Sequence, residues 1–315
     1  MPAGAILAWF RQDLRLADNA SLRAAVASGR PVIPVYIHDP EGEGAWPAGA
    51  ASRWWLHHSL HRLDLSLRAL GSRLVFRRGP SLEALRRLAR ESGAIAVHWN
   101  RRYEPSAIGR DTAVKSALRA AGLEARSFPG ALLREPATVR NKTGGPFQVF
   151  TPFYHHLLQA GGPADPEPVP AAVPAPRTWP GSDPLDAFQL LPAISWDGGL
   201  AETWTPGETG ALRALEDFDD RRATRYNTAR DIPAEPGTSR FSPHLHFGEL
   251  TPRQVWQATV AWHERERTPG GVEPFLRQIV WREFAHHLLV HFPHTPGEPL
   301  RSGYAKFPWR WTSAP

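Results

Sequence analysis

Short, largely apolar runs alternate with longer stretches of helical periodicity through the first 130 residues. Ala5–Phe10, Pro31–Ile37, Arg73–Phe76, Ala94–Trp99 and Leu123–Phe128 read as five strands. Between them, Ala20–Ser28, Ala51–Leu70, Leu82–Glu91 and residues 105–121 read as helices. Asp18-Asn19 offers an N-cap to the first helix and Ser81 to the third, while Gly29, Gly71 and Gly122 stand where helices stop. Strict β–α alternation with short connections predicts an α/β fold, a doubly wound parallel sheet covered on both faces. Ligands of such sheets lie beyond the carboxyl ends of the strands. Arg11, Asp13, Arg15, His38, Asp39, Asn100, Arg101, Arg102, Tyr103 and Glu104 fall there. As bare residues they read as loop-folding and salt-bridge groups. No G-x-G-x-x-G follows the first strand, so the usual dinucleotide fingerprint is absent.

The pattern changes after residue 130. From Ala160 to Leu200 the chain is rich in Pro, Gly and Ala, with Asp165-Pro166-Glu167-Pro168-Val169-Pro170 at its centre. That composition predicts a connector without regular helix or strand. Helical periodicity resumes after Trp204, with Ala211, Leu212, Leu215 and Phe218 on its apolar side. The expected organisation is a sheet domain over residues 1–130, a linker over 131–203 and an all-α region over 204–315.

Composition narrows the options. At 315 residues the chain can bury a large core and hold two domains. No apolar run approaches the roughly 20 residues of a membrane span. The start Met1-Pro2-Ala3-Gly4-Ala5 lacks the basic opening of a secretory signal. A membrane role is therefore not expected, and the cytoplasm is the expected compartment. The absence of cysteine excludes disulfides, thiol nucleophiles, zinc–thiolate sites and iron–sulfur clusters. His57-His58 and His155-His156 are adjacent pairs that point in different directions on a helix, so they read as ordinary histidines and no metal is expected. A net charge of +6 favours an acidic partner such as nucleic acid. Lys115, Lys142 and Lys306 are the lysines, so the positive charge is almost all arginine, which suits phosphate contacts.

The candidate chemistry lies in Gly237-Thr238-Ser239-Arg240-Phe241-Ser242-Pro243. Hydroxyl residues beside a permissive glycine suit an anion such as a pyrophosphate, and equally suit a plain helix cap. Upstream lie Tyr226 and Arg230-Asp231; downstream, Gly248-Glu249-Leu250-Thr251-Pro252-Arg253 and then Phe275-Leu276-Arg277-Gln278-Ile279-Val280-Trp281-Arg282-Glu283-Phe284.

Taken together these segments resemble the photolyase/cryptochrome family, whose helical domain carries Y-x-x-x-R-D, then T-S-x-L-S-P, G-x-S/T-P-R and a W-R-E-F helix. Phe241 stands where the family usually has Leu. The first half resembles it too. Trp9-Phe10-Arg11-Gln12-Asp13-Leu14-Arg15-Leu16-Ala17-Asp18-Asn19 is similar to the family's opening, and Ser52-Arg53-Trp54-Trp55-Leu56-His57-His58-Ser59-Leu60 to its S-R-x-x-F/W-L-x-x-S-L helix. Asn100–Pro105 and Gly145–Phe153 match two further stretches.

The resemblance implies FAD held by Tyr226, Thr238, Ser239, Arg240, Phe241 and Ser242, with Gln278 and Arg282 beside it. It implies UV-damaged DNA as partner, contacted by Arg230, Gln278, Trp281 and Arg282, with Trp281 packing on a flipped pyrimidine lesion. Trp281 as plain helix core is the alternative reading. Trp311, with Trp309 as second choice, is implied as an electron-transfer tryptophan. The sheet domain is expected to hold an antenna chromophore, a folate or a deazaflavin, and the protein to be a monomer. The implied activity is that of a deoxyribodipyrimidine photo-lyase, a carbon–carbon lyase driven by light through reduced flavin. A cryptochrome-type sensor, a (6-4) photolyase and an inactive fragment are the alternatives, since Gln278 stands where dimer-splitting members usually have Glu. The family's helical domain extends past residue 315, so the chain is expected to be truncated and its own activity is in question.

Overall fold

A computed structural model describes residues 4–266 and 272–308. Five parallel strands form one sheet in the order β3-β2-β1-β4-β5: β1 (Ile6–Phe10), β2 (Val32–His38), β3 (Val75–Arg78), β4 (Ala96–Asn100) and β5 (Glu124–Phe128). Alternate side chains of β1 enter two cores. Ile6, Ala8 and Phe10 pack beneath α1 (Ala20–Ala27) and α2 (Ala50–Ala69). Leu7 and Trp9 pack beneath α3 (Ser81–Ser92) and α4 (Pro105–Ala120). The period of two thus turns one apolar strand into the seam between two layers. The expected doubly wound architecture is present.

Local capping follows the sequence in one helix and departs from it in another. Asn19 caps α1 by accepting from Leu22 N at 3.1 Å. Ser81 does not cap the third helix, which begins at Ser81 itself with Pro80 in the cap position. Asp39, at the end of β2, takes the Ser81 hydroxyl at 2.6 Å and its N–H at 2.8 Å. A carboxylate accepts more strongly than a hydroxyl, so it displaces the local cap.

The proline-rich connector is a strap laid along the sheet domain. Val32 N donates to Pro174 O at 2.7 Å, Asp18 N to Glu167 O at 2.7 Å and Asp183 N to Phe76 O at 3.0 Å. Val173, Phe188 and Leu190 are buried in the α1/α2 core. Each such burial is worth about 1.5–3 kcal/mol, enough to keep a chain without secondary structure in place. Regular structure is confined to a 3-10 turn at Leu185–Phe188 and, past the prolines, α6 (Gly198–Thr203).

The helical body comprises α5 (Phe150–Gln159), α7 (Glu208–Arg221), α8 (Tyr226–Ala229), α9 (Ser242–His246), α10 (Pro252–Glu266) and α11 (Glu273–His291). Ala211, Leu215 and Phe218 lie on one face of α7 and meet Tyr226, Phe241, Val255, Trp262 and Phe275. Leu212 is off that stripe and exposed. Helix α5 precedes the connector in sequence but packs Phe153, Tyr154 and Leu157 on Val280 and Phe284 of α11. Among the described residues no helix is long and apolar enough to cross a membrane.

The loop after β1 joins the two bodies. Buried Arg15 donates to the carbonyls of Gly248 at 2.9 Å, Asp18 at 2.9 Å and Gly130 at 2.7 Å. Asp18 accepts from Thr251 Oγ1 at 2.7 Å and from the guanidinium of Arg253. Gly248 has φ +66, and a Cβ there would lie 2.1 Å from Gln12 O, so only glycine lets the two backbones touch. Glu208 receives Leu16 N and Ala17 N, each at 2.8 Å, and burial raises its pKa above the usual carboxylate value despite those bonds.

Candidate functional site

A cavity of about 870 Å³ opens beyond the carboxyl ends of β1, β2 and β4, where the sheet order reverses. Arg11 lies 4.2 Å over the Trp9 ring. Three of its arginines are paired: Arg11 with Asp111 at 3.0 Å, and Arg102 and Arg110 with Glu43 at 2.7 and 3.0 Å. Burial pushes the Glu43 carboxyl up, but hydrogen bonds and charge from these arginines outweigh it and hold it below its usual value. His38 stacks on Phe188 at 5.1 Å, and burial holds its imidazole below the usual range. The strap therefore supplies a wall of the cavity, and His246 and Phe247 at the end of α9 supply another.

The hydroxyl-rich loop is anchored from within. Phe241 is buried against Phe218 and Phe275, at ring distances of 5.3 and 6.0 Å. Gly237 is pressed against Ala229, where a Cβ would lie 2.2 Å from the carbonyl, so the loop rests directly on α8. Thr238 and Ser242 remain exposed, Ser239 half-buried. Arg240 adopts φ +61 and lies 4.0 Å over the Trp204 ring. Tyr226 of α8 is buried beside Phe218 and Phe275, and Arg230 lies 5.4 Å over its ring. Burial raises the Tyr226 hydroxyl pKa, opposed by a hydrogen bond from Arg230. Tyr226, Arg230 and the 237–242 loop, separate in sequence, thus form one packed unit. Tyrosine, exposed hydroxyls and an anchored turn fit a phosphorylated aromatic cofactor.

Helix α11 carries the other expected residues. Gln278 is exposed, and Trp281 is 44% exposed, so Trp281 is not a core side chain. Its indole lies flat on Phe150 of α5, with centroids 3.6 Å apart and planes within 5°. Arg277 sits over the rings of Phe150 and Tyr154 at 5.5 and 5.3 Å. Arg282 is half-buried and donates to Ala131 O at 2.8 Å, which ties α11 to the chain leaving the sheet domain. Glu283 is buried and accepts from Leu133 N at 2.8 Å and Arg134 N at 3.3 Å, with its pKa pushed up by burial to about 7. Sequence reasoning missed Phe150 as a ring partner and Glu283 as a buried acid. Their partners lie more than a hundred residues away and leave no local pattern. Trp309 and Trp311 lie outside the described residues.

A profile of the DNA photolyase family matches residues 6–175, more than half of the chain. The chain belongs to the DNA photolyase family. It is 45% identical over 306 residues to the deoxyribodipyrimidine photo-lyase of Agrobacterium fabrum, covering 97% of this chain and 63% of that relative. The crystal structure of a bacterial class III photolyase from Agrobacterium tumefaciens superposes with a TM-score of 0.93 at 45% identity, covering 98% of this chain and 64% of that one. Cryptochrome-1 of Arabidopsis thaliana is 35% identical over 319 residues, covering 97% of this chain and 46% of the relative. The chain thus spans less than two thirds of the photo-lyase it resembles.

Proposed function

We propose that the chain serves light-driven repair of pyrimidine dimers in DNA, as a deoxyribodipyrimidine photo-lyase with FAD as its cofactor. The observation that carries this is the packed unit of Tyr226, Arg230 and the 237–242 loop, joined through Phe275 to α11, the helix that exposes Trp281 and Gln278. Thr238, Ser239 and Ser242 would hold the phosphate and ribityl oxygens, with Tyr226 and Phe241 fixing the loop from behind. Reduced FAD, when bound, supplies the photoexcited electron that opens the dimer.

The chain's own groups bind and orient. Trp281, held flat by Phe150, offers one face to a base taken out of the stack. Gln278 lies one helical turn from Trp281 and can donate an amide hydrogen bond to a pyrimidine carbonyl. Arg230, and Arg282 in the middle of the same helix as Trp281, would place positive charge near the DNA backbone and the flavin. We propose further that the cavity beyond the strands takes an antenna chromophore, a folate or a deazaflavin. Its aromatic walls and matched charges suit a flat heterocycle with polar edges.

Illumination of UV-irradiated thymine oligonucleotides with the chain and reduced FAD tests the reading. Dimers should decline in light and persist in darkness. Flavin bound without any loss of dimers would overturn the repair reading.

A further inference from the structure

Glu249 is completely buried. A carboxylate tolerates that only where donors take up its lone pairs. Its Oε1 accepts from Trp55 Nε1 at 2.9 Å, from the Ser59 hydroxyl and from Gly207 N at 2.7 Å. Its Oε2 is 2.5 Å from His244 Nδ1, and because an ionised carboxylate only accepts, that nitrogen carries the hydrogen. The four donors come from three places: α2 of the sheet domain, the start of α7, and α9. The His244 ring also meets the edge of Trp55 at 5.1 Å.

Helix α9 has five residues and no side-chain cap. Helices this short have no stability of their own, so its location is set by whatever holds it. Phe241 anchors its entry in the core; His244, through Glu249, anchors its middle to α2. Ser242 opens the helix and Thr238–Phe241 lead into it.

We infer that Glu249 is a positioning residue: acting through His244, it sets where the 238–242 loop stands relative to α2, and so tunes the loop's affinity for flavin. This rests on the flavin reading of that loop given above. Glu249 itself reaches none of the exposed hydroxyls. Its replacement by Gln keeps the shape and leaves one oxygen for Trp55, Ser59 and Gly207. It also places an NH2 against the His244 N–H, and two donors then face each other unless the imidazole changes tautomer.

The test titrates FAD into the 315-residue chain and follows flavin fluorescence, for the wild type and Glu249→Gln, with circular dichroism confirming the fold. Affinity should fall about tenfold, the loss expected for one hydrogen bond to a charged group. Nitrogen NMR should place the His244 hydrogen on Nδ1 in the wild type and on Nε2 in the variant. A folded Glu249→Gln with wild-type FAD affinity overturns the inference and leaves the flavin reading intact. A wild type that binds no FAD removes both. Should Glu249→Gln fail to fold, Ser59→Ala deletes one of the four bonds. A roughly threefold loss of affinity then supports the inference, and an unchanged affinity overturns it.

Discussion

Trp281 and Phe150 are stacked face to face at 3.6 Å, one ring from α11 and the other from α5, with the tryptophan still 44% exposed. An exposed tryptophan is usually free to rotate. This one is held flat by a ring whose own helix is fixed in the core through Phe153 and Leu157. The surface so formed is a rigid aromatic step, pre-ordered for stacking.

Trp281→Ala should weaken binding to UV-irradiated DNA by about 1–3 kcal/mol, roughly five- to 150-fold, with little effect on intact duplex. Phe150→Ala should produce a smaller selective loss, because Trp281 remains but is no longer held. Gel-shift titrations on matched irradiated and intact duplexes measure both. Equal losses on the two DNAs would reduce Trp281 to a scaffold residue.

Glu283 makes stability depend on pH. Its carboxyl is pushed up to about 7 in the fold, so the folded state holds the proton more tightly than the unfolded chain. Its contribution is full below the unfolded value near 4.5 and is lost as pH rises toward 7. Glu283→Gln keeps an acceptor for Leu133 and Arg134 without titrating. The stability of wild type relative to this variant should therefore fall between pH 4.5 and 7, by on the order of 3 kcal/mol. His287, one turn on and held by burial down to about 4, titrates in both proteins and cancels in the comparison. Urea midpoints across that range provide the measurement, and parallel pH profiles would refute the role of Glu283.

Asp18 should be the costliest single loss at the contact between the two bodies. Asp18→Ala strands the Arg253 guanidinium and the Thr251 hydroxyl, and removing one partner of a buried pair typically costs about 3–5 kcal/mol. Asp18→Asn should cost less, because Asn tolerates the φ of +51 found there and can still accept from Thr251. Thermal unfolding should rank the three proteins in that order.

Gly248→Ala tests the backbone approach directly. The added methyl would meet Gln12 O at 2.1 Å in a left-handed conformation, two penalties at once. A loss exceeding 1 kcal/mol is expected, whereas Ala at an exposed helical glycine with open space around it, such as Gly109, should gain about 0.5–1 kcal/mol. Unfolding midpoints of the two variants decide it.

The periodicity of the chain determined much of this architecture. Five runs became five parallel strands, Asn19 became a cap, and Pro-rich composition became a segment almost without helix or strand. These are local consequences of side-chain spacing and backbone freedom, so a linear reading recovers them. The motifs likewise singled out the hydroxyl loop and the α11 helix from which the candidate site is built. What the tertiary structure decided was partnership. Arg15, Asp18, Trp55 and Ser59 belong to the motif-rich first half, yet their decisive contacts are Gly248, Arg253 and Glu249, some 190 to 235 residues away. The same holds for Phe150 with Trp281, and for the strap that supplies Phe188 to the cavity. Burial and hydrogen bonding are satisfied between whatever surfaces meet in space, and sequence separation carries no energy of its own. Residue types therefore announce that a polar group needs a partner, and only the fold names it.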